Sequence, residues 1–575
     1  MLLHLQVQFP KPINTFVLSV FILLMMSSVF LMEAQAQEIW YELEQAELQS
    51  ILVGNAAQGY SGTGYLTDIT SEDSRATFTV SIEEESLYAL YLGYRTPNGQ
   101  KGFELKVNDE TFTGTLPESD TFKNLPIGKV LLKAGENTFE IHKGWGWYEL
   151  DYIRLSKTEV PALEYPEDDL IDSLASQKTE NLFNYLKSIY GKKTLSGQQT
   201  LEDVDYIERV TRLEPAIANI DLIDYSPSRI EHGSNTKSLV EKSISWAQKD
   251  DGNGIIGSSW HWNAPTDLIN TPGKEWWSGF YTYATTFNFA EALADTNSAR
   301  YKLMLRDIDA IAVQLQKFED ADIPVLWRPL HEASGGWFWW GAQDGDSYIK
   351  LWRLLVVRLR DYHQLHNLIW VYTTGDSDWY PGDDWVDIIG HDIYTEKGAS
   401  MSTQWEQTFE QFNGHKMIAL TESGTLPLPK FNETHGTWWL WFSLWSGDFI
   451  RTIPNEEISD VVSHSLVLNR EDLPDWWVVT SSEIESIDLP TTTISNYPNP
   501  FNPETTILLE LRHASTVKMK VMDSIGRQIG TTRTMNLGRG EHKLPFNGEN
   551  LSSGVYIVQL FDGEKWINHR ISLIK

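Results

Sequence analysis

The sequence predicts a multidomain protein whose centre is an α/β (β/α)8 TIM barrel. An N-terminal antiparallel β-sandwich and a small C-terminal all-β domain flank it. Three observations predict this. The chain has 575 residues, more than one ordinary domain holds. Over residues 170–450, eight apolar strand-like runs alternate with amphipathic helical stretches. On both sides the pattern changes to short runs of period two, separated by Gly, Asn and Asp. A doubly wound open sheet also alternates strands with helices, but no Gly-x-Gly-x-x-Gly or Walker loop supports it.

The N-terminus, residues 1–36, reads as a signal peptide. Lys11 precedes an apolar run from Phe16 to Met32, and Ala34-Gln35-Ala36 supplies small residues at the cleavage-determining positions. The run is short for a membrane anchor, so cleavage before Gln37 is expected, and no other stretch is apolar enough to span a bilayer.

Residues 38–156 form the sandwich. Ala76–Ile82, Leu87–Tyr94 and Gly102–Val107 alternate apolar and polar residues, as half-buried antiparallel strands do. A Pro- and acid-containing stretch, Val160–Asp169, leads into the barrel. The barrel runs are Lys193–Gln199, Ala216–Ile223, Gly254–Trp262, Ile323–Leu330, Asn367–Thr373, Val386–Tyr394, Met417–Glu422 and Thr437–Trp445. Between them lie helical stretches such as Glu202–Leu213, Thr236–Lys249, Ala299–Phe318 and Ser347–Leu365. Residues 451–493 read as a connecting region that ends in a linker, Ser481–Thr493. Residues 494–575 are the C-terminal β unit.

Composition narrows the function. Without cysteine the chain has no disulfides, iron–sulfur clusters or thiol catalysis. A net charge of −33 repels nucleic acid and anionic membranes but is indifferent to a neutral polymer. The 24 tryptophans are a heavy load for this length; about half are expected in the core, and a tryptophan face suits the apolar face of a pyranose.

The chemistry concentrates at two strand ends. The run Ile323–Leu330 stops at His331-Glu332 and opens into Gly335-Gly-Trp-Phe-Trp-Trp340. The run Lys416–Thr421 stops at Glu422. Cleaving a glycosidic bond needs a proton for the leaving oxygen and stabilisation of an oxocarbenium-like centre, and two carboxyl groups supply both. In the retaining route they stand about 5–5.5 Å apart. Tryptophans 337, 339 and 340 are expected to desolvate Glu332 and raise its pKa toward that of a working acid, while Glu422 needs hydrogen bonds to stay ionised. Other strand ends carry Trp260, His261 and Asn263, then Asp392 and Tyr394, then Trp445. Each alone is more often a packed core residue; their shared placement favours the site.

Trp327-Arg-Pro-Leu-His-Glu-Ala-Ser-Gly-Gly-Trp-Phe-Trp-Trp-Gly341, with Ala419-Leu-Thr-Glu-Ser-Gly424, resembles glycoside hydrolase family 26, mostly endo-β-1,4-mannanases. The resemblance implies a retaining mechanism that needs no cofactor. It assigns Glu332 as acid/base and Glu422 as nucleophile, and places His331 and Tyr394 in support of the nucleophile. It also sets His261, Trp337 and Trp445 against substrate. The expected partner is a mannan-type plant polysaccharide. Related barrels act on β-1,3-xylan or mixed-linkage β-glucan. A non-catalytic polysaccharide-binding protein is the reading from another class, and the two intact carboxylate motifs argue against it.

Trp40-Tyr-Glu-Leu-Glu-Gln-Ala-Glu47 and Trp147-Tyr-Glu-Leu-Asp-Tyr-Ile-Arg154 resemble carbohydrate-binding modules of families 35 and 6. The resemblance implies a structural Ca2+ held by Glu42, Glu44 and Asp151; an acidic strand edge facing solvent is the alternative. Alternation would put Glu42 and Glu44 on one strand face. Trp145 and Trp147 are candidates for stacking on sugar. Tyr497-Pro-Asn-Pro-Phe-Asn-Pro503, Asp523-Ser-Ile-Gly-Arg527 and Leu551-Ser-Ser-Gly-Val-Tyr556 resemble the C-terminal sorting domain of type IX secretion cargo. That implies an encounter with the secretion machinery and a secreted or cell-surface location.

Overall fold

The computed structural model describes residues 38–160, 163, 166, 169–249, 252–373, 377–395, 397–412, 415–477, 493–511, 515–523, 527–538, 540–562 and 566–575. The signal segment 1–36 and most of the linker 481–493 lie outside the described residues. No helix among the described residues is long and apolar enough to cross a membrane.

All three expected units are present. The catalytic region is a closed barrel of eight parallel strands: Thr194–Gln199, Ile217–Asp221, Ile255–Trp260, Val325–Pro329, Leu368–Thr373, Ile388–Ile393, Met417–Ser423 and Trp441–Leu444. Each strand pairs with the next, and the first pairs with both the second and the eighth, which closes the ring. Six of the eight are buried at every residue, because helices cover the outside and packed side chains fill the inside. That is why most of them read as largely apolar runs. The sixth and eighth are shorter than their runs, Val386–Tyr394 and Thr437–Trp445, since the flanking residues turn into loops. Inside the barrel the Asn219 amide donates to the Ser443 hydroxyl at 2.9 Å. Gly257 sits opposite Asn219, and a Cβ there would overlap the amide.

The chain after the eighth strand stays with the barrel, so part of the expected connecting region, 451–477, is structural. Helix Asn455–Val462 packs on the barrel, Val467–Leu468 adds a strand parallel to the first, and Leu473 and Trp476 are buried beneath the strands. The sequence hid this because no single run there is long enough to read as an element.

The sandwich has a six-stranded and a five-stranded antiparallel sheet. Its first strand, Glu38–Glu42, lies along its last, Glu149–Lys157. In Arg75–Ile82 every second residue is buried, as the alternation predicts. The C-terminal unit has three- and four-stranded antiparallel sheets closed on a core that includes Phe501, Leu509, Val558 and Ile571.

Candidate active site

The fourth barrel strand ends at Pro329, and the next residues turn sharply. Leu330 and Glu332 both have left-handed backbones, with φ of 51° and 54°. Side chains rarely adopt this conformation, and it concentrates at functional sites. It lets the Glu332 N–H donate to the Thr373 carbonyl at 2.7 Å, fixing Glu332 beside the end of the fifth strand. Its carboxylate accepts a hydrogen bond from the Trp337 indole at 2.9 Å. Burial, then the carboxylates of Asp392 and Glu422, push the Glu332 pKa up to about 8.

Glu422 is buried near the end of the seventh strand. One oxygen accepts from the Tyr394 hydroxyl at 2.5 Å, the other from Arg328 at 2.8 Å. Arg328 also donates to Asp392 at 2.7 Å, and Asp392 accepts from the Thr421 hydroxyl at 2.7 Å. Burial and the Asp392 charge push Glu422 upward, while Arg328 and Tyr394 oppose them. Arg328 is always cationic and has only donors to offer, so its contact favours the charged form of Glu422. Of the two glutamates, Glu422 is therefore the better ionised and Glu332 the better proton holder. Different surroundings separate two like groups into an acid and a base.

A second chain of contacts borders the pair. Asp221, ending the second strand, accepts from the His261 backbone at 3.0 Å and meets its Nδ1 at 2.5 Å. Burial pushes the Asp221 carboxyl up, but His261 more than offsets this and holds it below the usual range. The other nitrogen, Nε2 of His261, lies 3.2 Å from Nε2 of His331, so one ring donates to the other. Burial, then the Arg328 charge, holds the His331 pKa well below the usual value, so the ring is neutral. Phe338 meets both imidazoles edge-on, at 5.3 Å between centroids in each case. Trp445 lies 6.1 Å from His261.

The barrel thus brings Glu332, Glu422, His261, His331, Trp337, Tyr394 and Trp445 to one end. One expectation needs correction. Of the three tryptophans after Glu332, only Trp337 turns to its carboxylate. Trp339 and Trp340 are fully buried; their indoles donate to the carbonyls of Trp262 and His331, because the loop folds back onto the barrel wall. Neither lines the cleft. The sequence reading also passed over Arg328, Asp221 and Phe338. An arginine inside a fully apolar strand, four residues before the glutamate, is the signal that was there to use.

In the sandwich, Glu42, Glu44 and Asp151 gather on the loop 61–63. The Ser61 N–H donates to both Asp151 oxygens, at 3.1 and 2.9 Å, and the Ser61 hydroxyl to Glu42 at 2.7 Å. The N–H and hydroxyl of Thr63 donate to Glu44 at 2.7 and 3.0 Å. Gly62 has φ +63°, and a Cβ there would overlap Glu44. The strand ends at Glu42 and Glu44 sits in a 3₁₀ turn, so strand alternation is not what brings the two together. Among the described residues no cluster of three acidic or histidine side chains is closed enough to hold a metal as it stands.

Comparison with known proteins places each unit. The model of glycosyl hydrolase family 26 matches residues 171–472, that of carbohydrate binding module family 35 matches 39–158, and that of the secretion system C-terminal sorting domain matches 495–574. The sorting domain directs the chain to the cell surface or the extracellular space. A mannan endo-1,4-β-mannosidase of Thermothelomyces thermophilus is 43% identical over 444 residues, covering 76% of this chain and 90% of the relative. Mannan endo-1,4-β-mannosidase B of Piromyces sp is 31% identical over 480 residues, covering 81% and 82%. The crystal structure of a Podospora anserina GH26-CBM35 β-(1,4)-mannanase matches with 40% identity and a TM-score of 0.57, over 77% of this chain and all (100%) of that one. A ruminal GH26 endo-β-1,4-mannanase matches with 26% identity and a TM-score of 0.56, over 76% and 98%. With half the chain under one family model and a close relative across most of its length, the protein belongs to glycosyl hydrolase family 26.

Proposed function

We propose that the protein is a secreted endo-acting hydrolase that cleaves internal β-1,4-mannosidic bonds of plant mannans with retention of configuration. The observation that carries this is the pairing of Glu332 and Glu422 at one barrel end in opposite hydrogen-bond surroundings. Relatives of both barrel and sandwich that bear the name of mannan endo-1,4-β-mannosidase supply the substrate class.

In the first step Glu422 attacks the anomeric carbon while Glu332 gives its proton to the leaving glycosidic oxygen. A covalent glycosyl-enzyme forms and the reducing-side fragment departs. In the second, Glu332, now a carboxylate, takes a proton from water as the water attacks the same carbon and releases Glu422. Tyr394 and Arg328 hold Glu422 charged and aimed before attack. The pair His261 and His331, fixed by Asp221, lies against the sugar bound at the cleavage point, with Trp445 as its aromatic floor. Trp337, about half exposed, stacks on the leaving side while orienting Glu332. We delimit the units at 1–36, 38–156, 170–477 and 494–575, the third extended to include the chain packed under the barrel.

Products from galactomannan, glucomannan, β-1,3-xylan and mixed-linkage β-glucan test the reading. Short manno-oligosaccharides, released first as β-anomers, are expected. Hydrolysis confined to xylan or mixed-linkage glucan would refute the mannan assignment, and α-anomers would refute retention.

The sandwich holds the enzyme on mannan, with Trp145, 69% exposed, as a stacking face. Glu42, Glu44 and Asp151 bind a structural Ca2+. The oxygen-only donor set suits calcium, and one buried Glu44 oxygen has no hydrogen-bond partner. Burial, then the charges of Glu42 and Glu44, raises the Asp151 pKa to about 6, the condition a cation relieves. Chelation at neutral pH is expected to lower the melting temperature of the sandwich by several degrees. The effect should fade as pH falls below about 6, where Asp151 takes up a proton. An unchanged melt at neutral pH counts against the metal.

A further inference from the structure

The N-terminal sandwich is docked on the barrel at a place that matters for the chemistry. Helix Ser402–Phe412, which follows the sixth barrel strand, lies against the sandwich strands Glu110–Leu116 and Ser119–Leu132. Lys129 of the sandwich is buried and forms an ion pair with Glu406 of the helix. Its ammonium also sits 6.0 Å from the centre of the Trp405 ring, itself fully buried. The Thr403 hydroxyl donates to the Ile127 carbonyl, and the Gln404 amide donates to the Thr113 carbonyl at 3.2 Å. Gly128 permits the close approach, since a Cβ there would stand 2.7 Å from the Ser402 hydroxyl. Its φ of +117° is also one that a larger residue would resist.

The contact reaches back toward the active site. The hydroxyl of Thr113 meets that of Thr395 at 3.0 Å. Thr395 is the residue after Tyr394, whose hydroxyl holds Glu422. Both flanks of the connection from the sixth strand to its helix are therefore fastened to the sandwich. On the barrel side, Tyr394 lies against Gly424 and the edge of Phe449, and its side chain is about half exposed. A catalytic hydrogen bond made by a half-exposed side chain on a strand end depends on how well the neighbouring backbone is held.

We propose that the sandwich is a positioning element of the active site. Through Thr113 and the Lys129–Glu406 pair it fixes the backbone that carries Tyr394, and so the aim of Tyr394 at Glu422. The inference rests on the reading of Tyr394 given above.

The test is a double-mutant cycle in the full chain, with turnover measured on mannopentaose, a soluble substrate that does not need the sandwich for capture. Thr113→Val removes one hydroxyl at almost constant size. Lys129→Met with Glu406→Gln removes the ion pair without leaving a lone buried charge. Each is expected to lower kcat by about tenfold with KM little changed, since displacements of an ångström cost up to about 10²-fold in turnover. Tyr394→Phe should also lower kcat, by at least as much. In the Tyr394→Phe background the interface variants should cost less than about twofold more, because the group they position is gone. Swapping the charges, Lys129→Glu with Glu406→Lys, should restore most of kcat. If Tyr394→Phe slows turnover but the interface variants keep the parental kcat, the inference is overturned alone. Equal losses in both backgrounds also overturn it, since they mark general destabilisation. If Tyr394→Phe itself has no effect, the reading of Tyr394 fails and the inference falls with it.

Discussion

Glu422→Ala is expected to lower turnover on mannan by about 10⁴-fold or more, with retention on insoluble polysaccharide unchanged. The size of the effect follows from the two-step reaction. Without the carboxylate no glycosyl-enzyme forms, and water must attack the anomeric carbon in one step from a site not shaped to activate it. The rest of the network survives the change, because Arg328 keeps Asp392 as its partner and Asp392 keeps Thr421. A loss of activity therefore reports on the missing nucleophile and not on a collapsed barrel. Azide supplies a direct check. It fits the space the side chain leaves, and Glu332 remains to protonate the leaving oxygen. Azide should restore part of the rate and give an α-mannosyl azide, the inverted product. Turnover within tenfold of the parent, measured by reducing-sugar release, would show that Glu422 is not the nucleophile.

The barrel and its two glutamates were legible because the physics that builds them is local and repetitive. The strands that carry them are buried on both faces, so they read as apolar runs, and two carboxylates at matching ends of such runs point to chemistry. The partners of those glutamates were harder to see. Arg328 lies within its run and looks like an interruption of it, and its meaning comes from Asp392 and Glu422, 64 and 94 residues away. Asp221 ends a strand as an ordinary cap residue would, and only the fold sets it against His261, 40 residues on. Trp339 and Trp340 misled in the opposite direction. They sit beside Glu332 in the chain, but the left-handed turn at Glu332 sends them into the wall. The docking of the sandwich was invisible for the same reason. Thr113, Lys129, Thr395 and Glu406 are unremarkable surface residue types, and nearly 300 positions separate the two sides: 282 between the threonines and 277 between Lys129 and Glu406.

The second large effect concerns the acid. Glu332→Ala should reduce hydrolysis of mannan by about 10²–10⁴-fold, the usual contribution of a positioned proton donor. On an aryl mannoside whose phenol leaves readily, the first step needs little proton assistance. There the variant should keep a substantial part of its rate and accumulate the glycosyl-enzyme, because the second step still lacks its base. A nucleophile variant would show neither property, so the two glutamates are told apart by substrate. The pH profile should separate them as well. Glu332 must carry its proton for the first step, and its pKa is pushed up to about 8 by burial and the carboxylates of Asp392 and Glu422. Activity on mannan is therefore expected to fall as pH rises through about 8, and that alkaline limb should be missing from the profile of Glu332→Ala on the activated aryl mannoside. The same shift has a consequence for stability. A carboxyl whose folded pKa is raised from 4.5 to about 8 stabilises the folded state fully below the lower value, and the contribution is lost as pH rises through the upper one. Glu332→Gln keeps the shape and cannot ionise. It should melt above the parent at pH values above about 8 and level with it in acid below 4.5. A difference in melting temperature that is constant across pH would mean that the side chain is not protonated in the resting enzyme. It would also remove the physical basis for naming Glu332 the acid.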